Sequence, residues 1–274
     1  MITRYGQTRL ATADTSNGLS TGIWYDCPLQ EIAVDPSKGY GFFDDFACYG
    51  GNATNIAEAA FDGGGRYVSF TSDGAYIEDN QTIGGVIKLH ADGDNESATL
   101  ASAVSAFQIT RDAKKLWFEA RIATDTIADT KHSTLLGLCD VQTLTLTVDL
   151  PLHTDDTIAA AADFVGFCRN SGDGDTVDAI YQAGAVAEVE TNAICHTLVA
   201  DTYVKLGMKY DPDDANRLTW YVNGVAQSTK KTIPNATGTD FPADRILAPL
   251  IAIRNAAASD DKTYMDWWGC YQLR

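Results

Sequence analysis

Hydrophobic and polar positions alternate most regularly between Asp201 and Gln227. Val204, Leu206, Met208 and Tyr210 alternate with Tyr203, Lys205, Gly207 and Lys209, and Leu218, Trp220 and Val222 repeat the pattern further on. A period of two is that of a strand with one face on a core and the other toward water. Asn223-Gly224 follows, two residues that tolerate positive φ, so the stretch predicts three strands with a tight hairpin turn. A long half-buried strand is predicted over 115–123, with Leu116, Phe118, Ala120 and Ile122 facing one way and Trp117, Glu119 and Arg121 the other. Shorter runs predict strands over 66–71, 85–90, 98–101, 106–109, 134–140, 144–150, 164–169, 176–181 and 186–190, with closing strands over 246–253 and 263–273. The last is rich in aromatics (Tyr264, Trp267, Trp268, Tyr271) and is expected to pair deep in a sheet. Helix is confined to short turns, one over 55–61 that Gly63-Gly64-Gly65 ends, and one over 157–162 capped by Asp155-Asp156. Many short strands with almost no helix and no repeat of 20–50 residues predict an all-β sandwich or barrel, and exclude a propeller or solenoid.

Residues 1–39 break this pattern. Gly6, Asn17, Gly18, Gly22, Pro28 and Pro36 interrupt any element before it grows, so an extended N-terminal arm is predicted. Trp24, Tyr25, Leu29, Ile32 and Val34 make it too apolar for a solvated linker; such an arm lies along a surface, its own domain's or a neighbour's. The aromatic cluster Tyr40, Phe42, Phe43 and Phe46 marks the start of a single domain over 40–274.

Charge narrows the choice of partners. Twenty Lys and Arg against 37 Asp and Glu give a net charge of −17, which repels a phosphate backbone and argues against nucleic acid. No stretch reaches the roughly 18–20 apolar residues of a membrane span, and no N-terminal apolar run serves as a secretion signal, so synthesis in the cytoplasm is expected. The six cysteines, Cys27, Cys48, Cys139, Cys168, Cys195 and Cys270, include no C-x-x-C pair. Cys139, Cys168 and Cys270 sit in strand-like runs and read as small buried hydrophobes.

Candidate chemistry is sparse. Glu188-Val189-Glu190 places two carboxylates on one strand face, roughly 6–7 Å apart by strand rise, near the spacing that glycosidases use. The acidic turns Asp92-Gly93-Asp94-Asn95-Glu96, Asp173-Gly174-Asp175 and Asp211-Pro212-Asp213-Asp214 gather hard oxygen donors, but none completes an EF-hand pattern, and Asp, Asn and Gly are ordinary turn residues. His90, His132, His153 and His196 have no metal spacing, and Cys195-His196 point to opposite faces of a strand. G-x-S-x-G and phosphate-loop motifs are missing, and the Asn-x-Ser/Thr sequons at Asn52, Asn80, Asn95 and Asn235 read as turn residues. No catalytic residue, metal or cofactor is assigned from the sequence.

Taken together, FFDDF at Phe42–Phe46, KLWFEARI at Lys115–Ile122, DFVGFCRNSGDGD at Asp163–Asp175, YVKLGMKYDPD at Tyr203–Asp213 and LTWYVNGV at Leu218–Val225 resemble the concanavalin A-like (laminin G-like) jelly-roll proteins encoded among the structural genes of tailed bacteriophages. The resemblance covers residues 40–274 and implies an antiparallel two-sheet jelly-roll sandwich in Greek-key order. It implies a non-enzymatic virion protein, a decoration or cement subunit on the capsid surface, with the major capsid protein and neighbouring copies of itself as partners and the arm residues Trp24, Tyr25, Leu29, Ile32 and Val34 as the attachment. Two alternatives stand beside it. One is a glycan-binding module of a fibre or head that uses exposed aromatics such as Trp117 or Tyr221 as stacking platforms. The other is a jelly-roll hydrolase using Glu188 and Glu190, although the further carboxylate of the glucanase E-x-D-x-E pattern is replaced here by Asn192.

Overall fold

The computed structural model describes residues 13–47, 52–54, 60–62, 66–72, 74–79, 85–103, 105–111, 113–129, 131–141, 158, 162–184, 189–234 and 240–274. The Asn223-Gly224 turn sits where the alternation predicts it. Both residues take positive φ (47° and 74°), and Val222 pairs directly with Val225 across the turn. This hairpin belongs to a run of strands that returns through the whole domain. The strands are β1 (Gly39–Asp44), β2 (Asn52–Thr54), β3 (Ala60–Asp62), β4 (Tyr67–Thr71), β5 (Tyr76–Asp79), β6 (Ile87–Ala91), β7 (Ser97–Ser102), β8 (Leu116–Thr124) and β9 (His132–Cys139). They continue with β10 (Phe164–Arg169), β11 (Thr176–Gln182), β12 (Val189–Thr197), β13 (Val204–Asp211), β14 (Arg217–Val222), β15 (Val225–Thr232), β16 (Ala248–Asn255) and β17 (Asp261–Leu273).

These strands form two antiparallel sheets. The first runs β15-β14-β13-β8-β17-β6-β5-β2, with β1 also paired to β17; the second runs β12-β11-β10-β9-β16-β7-β4-β3. The order within each sheet is far from the order in sequence, as two interleaved Greek keys require, and the architecture is a concanavalin A-like jelly-roll sandwich. The aromatic closing strand lies deep in the first sheet, as its sequence predicts, with β8 along one edge and β6 and β1 end to end along the other.

Alternation assigns the inner faces correctly. Leu116, Phe118, Ala120 and Ile122 from β8, and Val204, Leu206, Met208 and Tyr210 from β13, meet Leu136, Leu138, Val165, Phe167, Ile251 and Ile253 of the second sheet in one core. On β17 the phase changes, because a register irregularity between Met265 and Trp267 lets both Met265 and Trp268 reach the core.

Gly137 and Gly166 face each other directly across β9 and β10. A Cβ on Gly166 would lie 2.2 Å from the Leu136 carbonyl oxygen and 2.7 Å from Gly137 Cα, and the Phe164 ring covers the space on that side. The crowding atoms are mostly backbone and have nowhere to go. Gly166→Ala is therefore expected to lower stability by about 1–3 kcal/mol, as measured by urea unfolding, while Val165→Ile one position away changes only the other face.

Four expectations differ from the fold. Residues 106–109 are not a strand; only Phe107 pairs, in an isolated bridge to Leu247, because the segment caps the core instead of joining a sheet edge. Ala60–Asp62, at the end of the expected helical turn, is strand β3, since pairing with β4 satisfies its backbone. The arm is not extended over 21–34, which holds α1 (Thr21–Trp24) and α2 (Leu29–Val34). Packing Ile23, Trp24 and Ile32 against the sheet overrides the weak local propensity. Finally, the outward face of β8 is not solvated, because the N-terminal segment packs over Trp117 and Glu119. The strand expected over 144–150, and all of the turn over 157–162 except Ile158 and Ala162, lie outside the described residues.

Candidate functional site

The outer face of the first sheet is where the N-terminal segment and the sandwich meet. Trp117, Glu119, Lys205, Lys209 and Tyr221 point away from the main core, yet all are buried. Ile23 and Trp24 cover them, forming with Trp117 and Tyr221 a separate apolar cluster that Leu19, Cys27, Leu29 and Tyr271 border. Burying polar groups there requires partners. Glu119 Oε2 accepts from the Ser20 backbone N–H (2.9 Å) and from the Trp24 indole Nε1 (2.7 Å). The Lys205 ammonium donates to Gly18 O (3.0 Å) and pairs with Asp14 (3.2 Å). Asp26 accepts from the Trp117 indole (3.0 Å) and from Lys209 Nζ (2.7 Å), and the Trp267 indole donates to Asn17 O (2.6 Å). The hairpin turn takes part as well: Asn223 O accepts from Asp14 N (2.7 Å), while its side-chain oxygen accepts from Lys205 N (3.0 Å). Burial raises the Glu119 carboxyl above its usual range, against the opposing hydrogen bonds from Ser20 and Trp24 and the charge of Lys205.

The predicted arm residues thus divide. Trp24 and Ile32 are buried against their own domain and Leu29 is half-buried, whereas Tyr25 (45 % exposed) and Val34 (83 %) face outward. Trp117 and Tyr221, the expected stacking platforms, are sealed under the segment and offer no ring face to a sugar. Glu188 lies outside the described residues, and Glu190 is described only by its backbone, opposite Ile180 on β11. Cys195 and His196 are consecutive on β12, and burial pushes the Cys195 thiol up to about 12, far from a thiolate at neutral pH. Cys139, Cys168 and Cys270 are buried, as expected; Cys48 lies outside the described residues.

The acidic turns make contacts within the protein. Glu96 folds back to accept from Gly93 N (2.9 Å) and Asp92 N (3.2 Å). Asp211 and Asp213 pair with Lys115 (3.0 and 3.4 Å). Asp173-Gly174-Asp175 contributes the Gly174 carbonyl, which accepts from Arg169 Nε (2.6 Å).

A cluster that sequence spacing does not reveal lies at one end of the sandwich. Asp125 follows β8, His132 opens β9 and Asp261 opens β17, and one donor atom from each lies within 4.8 Å of the others. Asp125 is half-buried; His132 and Asp261 are buried. Beside them a cavity with room for about one water is bordered by Thr124, Thr134, Thr263 and Arg169. Burial, and secondarily the Arg169 guanidinium, hold the imidazole pKa well below its ordinary value, so His132 is neutral.

The fold so built is a concanavalin A-like jelly roll, and solved structures share it. Peanut lectin superposes with a TM-score of 0.58 at 12% identity over 86% of this chain and 99% of the lectin. SO2946 of Shewanella oneidensis MR-1, a protein of unknown function, superposes at 0.54 with 12% identity over 94% of this chain and 97% of its own. A Bacteroides ovatus GH16 protein of a mixed-linkage glucan locus, solved with a G4G4G3G product, superposes at 0.52 with 13% identity over 85% of this chain and 99% of its own. At such identities the likeness is one of fold. No family profile matches the sequence, and no curated protein matches it.

Proposed function

We propose that the chain is a non-enzymatic structural subunit of a tailed-bacteriophage particle, made in the host cytoplasm and carried on the capsid surface as a decoration or cement protein. The observation that supports this reading best is the N-terminal segment. Folding it onto the sheet buries Ile23, Trp24 and Ile32 but leaves Val34 outward, and leaves Tyr25 with one ring face over the Lys209 ammonium, 4.8 Å away, and 45 % of its surface exposed, so both offer apolar area to a neighbour. Repeated over many copies on a lattice, contacts of that modest size add up to firm attachment to the major capsid protein and to neighbouring subunits.

The second reading, a glycan-binding module, is favoured by the sandwich shared with peanut lectin. It needs a sugar site other than Trp117 and Tyr221. One preparation tests both readings. Tyr25→Ser combined with Val34→Asp is expected to reduce occupancy on capsids assembled from the accompanying major capsid protein at least tenfold, with the circular dichroism spectrum unchanged. Full occupancy by the double variant removes the attachment proposed here. Saturable binding to one sugar class on a glycan array, by wild type and double variant alike, replaces the structural reading with the glycan-binding one.

A further inference from the structure

The end cluster holds a histidine whose hydrogen bonding is incomplete. His132 Nε2 lies 3.0 Å from Thr124 Oγ1 and 3.3 Å from Thr263 Oγ1. The Thr124 hydroxyl proton is directed to the Thr126 carbonyl at 2.9 Å, so that oxygen accepts from the imidazole, and the proton resides on Nε2. Nδ1 is then a bare lone pair. It is fully buried, makes no hydrogen bond, and points at Asp261 Oδ2, 3.9 Å away. A lone pair facing a carboxylate, with the Asp125 carboxylate close by, is an arrangement that a bound cation stabilises.

The nearby protein cations fill that role only in part: the Arg169 charge reaches Asp261 and Asp125, but it makes no hydrogen bond to either. Arg169 donates to the carbonyls of His132, Gly174 and Ala128 rather than to the carboxylates. The Lys262 ammonium stands 3.9 Å from Asp125 Oδ2 and pairs more closely with Asp260, at 2.7 Å. The carboxylates, by contrast, are oriented as ligands usually are. Asp125 Oδ1 accepts the Lys262 backbone N–H at 2.9 Å, and Asp261 Oδ2 accepts from the Ser259 hydroxyl, which leaves lone pairs on both groups for a further partner.

We propose that Asp125, His132 Nδ1 and Asp261 form a binding site for a divalent transition cation of the zinc class. An ion bonded at about 2.0–2.2 Å to both Nδ1 and a carboxylate oxygen fits between atoms 3.9 Å apart with little movement. One imidazole and two carboxylates suit zinc better than calcium, which takes an all-oxygen shell. The half-buried Asp125 gives the route of entry, and water completes the coordination. The ion joins β8 and β17 of one sheet to β9 of the other, so it braces the two sheets at this end.

The test uses the full chain, stripped with a chelator and titrated with Zn²⁺ by calorimetry, and in parallel with Co²⁺ while visible absorption is followed. One equivalent of Zn²⁺ is expected to bind and raise Tm, with d–d bands appearing on Co²⁺ addition. Asp125→Asn keeps the acceptor for Lys262 N–H, so it folds; it is expected to weaken binding at least tenfold, as is Asp261→Asn. His90→Gln, at a separate Asp260 contact, leaves the affinity unchanged. Absence of a one-equivalent event, equal affinity in the wild type and both carboxamide variants, or stabilisation by Ca²⁺ alone overturns the proposal.

Discussion

Glu119→Ala is expected to lower stability by about 3–5 kcal/mol, the usual consequence of removing one partner from a buried charged network. The carboxylate is fully buried, and one of its oxygens serves both the Ser20 N–H and the Trp24 indole. Without it, both donors lose their acceptor inside an apolar cluster. Release of the segment from the sheet then exposes Trp117 and Tyr221, so near-ultraviolet circular dichroism and tryptophan emission report the change together with urea unfolding. Glu119→Gln retains an acceptor and is expected to cost less than half as much. The two variants also differ in pH response. Burial raises the Glu119 pKa above its unfolded value, so the folded state holds this proton more tightly. Its contribution is complete below the unfolded value of about 4.3 and is lost as pH rises through the raised folded value. Relative to Glu119→Gln, the wild type should therefore lose stability as pH rises from the unfolded value through the raised folded one. A difference between the two that stays flat, or widens in favour of wild type, contradicts the assignment.

That latch also shows where the sequence stops being legible. Alternation along Leu116–Ala123 sorts the two faces correctly, because a strand's side-chain period is fixed by its backbone. It does not say whether the polar face meets water or another segment. Trp117 and Glu119 look like a solvated face until Ser20, Trp24 and Asp26, about a hundred positions earlier in the chain, are brought onto them. A hint was present: Lys205 and Lys209 lie on the same outer face as Glu119, with Trp117 and Tyr221 between them, a mixture unusual for open surface. The hairpin turn was legible as a turn, since Asn-Gly requires only local geometry, but not as the docking point of Asp14. The end cluster was hidden for a related reason. Asp125, His132 and Asp261 come from three strand ends in two sheets, and only the sheet order makes them neighbours.

Trp268→Ala is expected to be the most damaging single change in the main core, by about 3–5 kcal/mol and roughly 10 °C in Tm. The side chain is fully buried on β17. Its ring meets Phe42 edge-on at 5.8 Å, Phe46 at 5.9 Å and Tyr67 at 5.8 Å. Phe42 comes from β1 and Tyr67 from β4 of the opposite sheet, so one indole ties both sheets to the first strand of the domain. Tyr67 in turn donates its hydroxyl to Asp44, at the end of β1. Removing the indole leaves a void that these large rings cannot close without breaking that hydrogen bond or pulling β1 from β17, which is why the upper part of the range applies. Trp268→Phe keeps an aromatic ring in contact with all three partners and should cost about 1–2 kcal/mol. The comparison separates packing from position. Equal losses in the two variants would mean that the site cannot tolerate any change of shape, whereas a loss in the alanine variant no larger than that of Glu119→Gln would show that the rings repack, and that the sheets are held together chiefly elsewhere along β17.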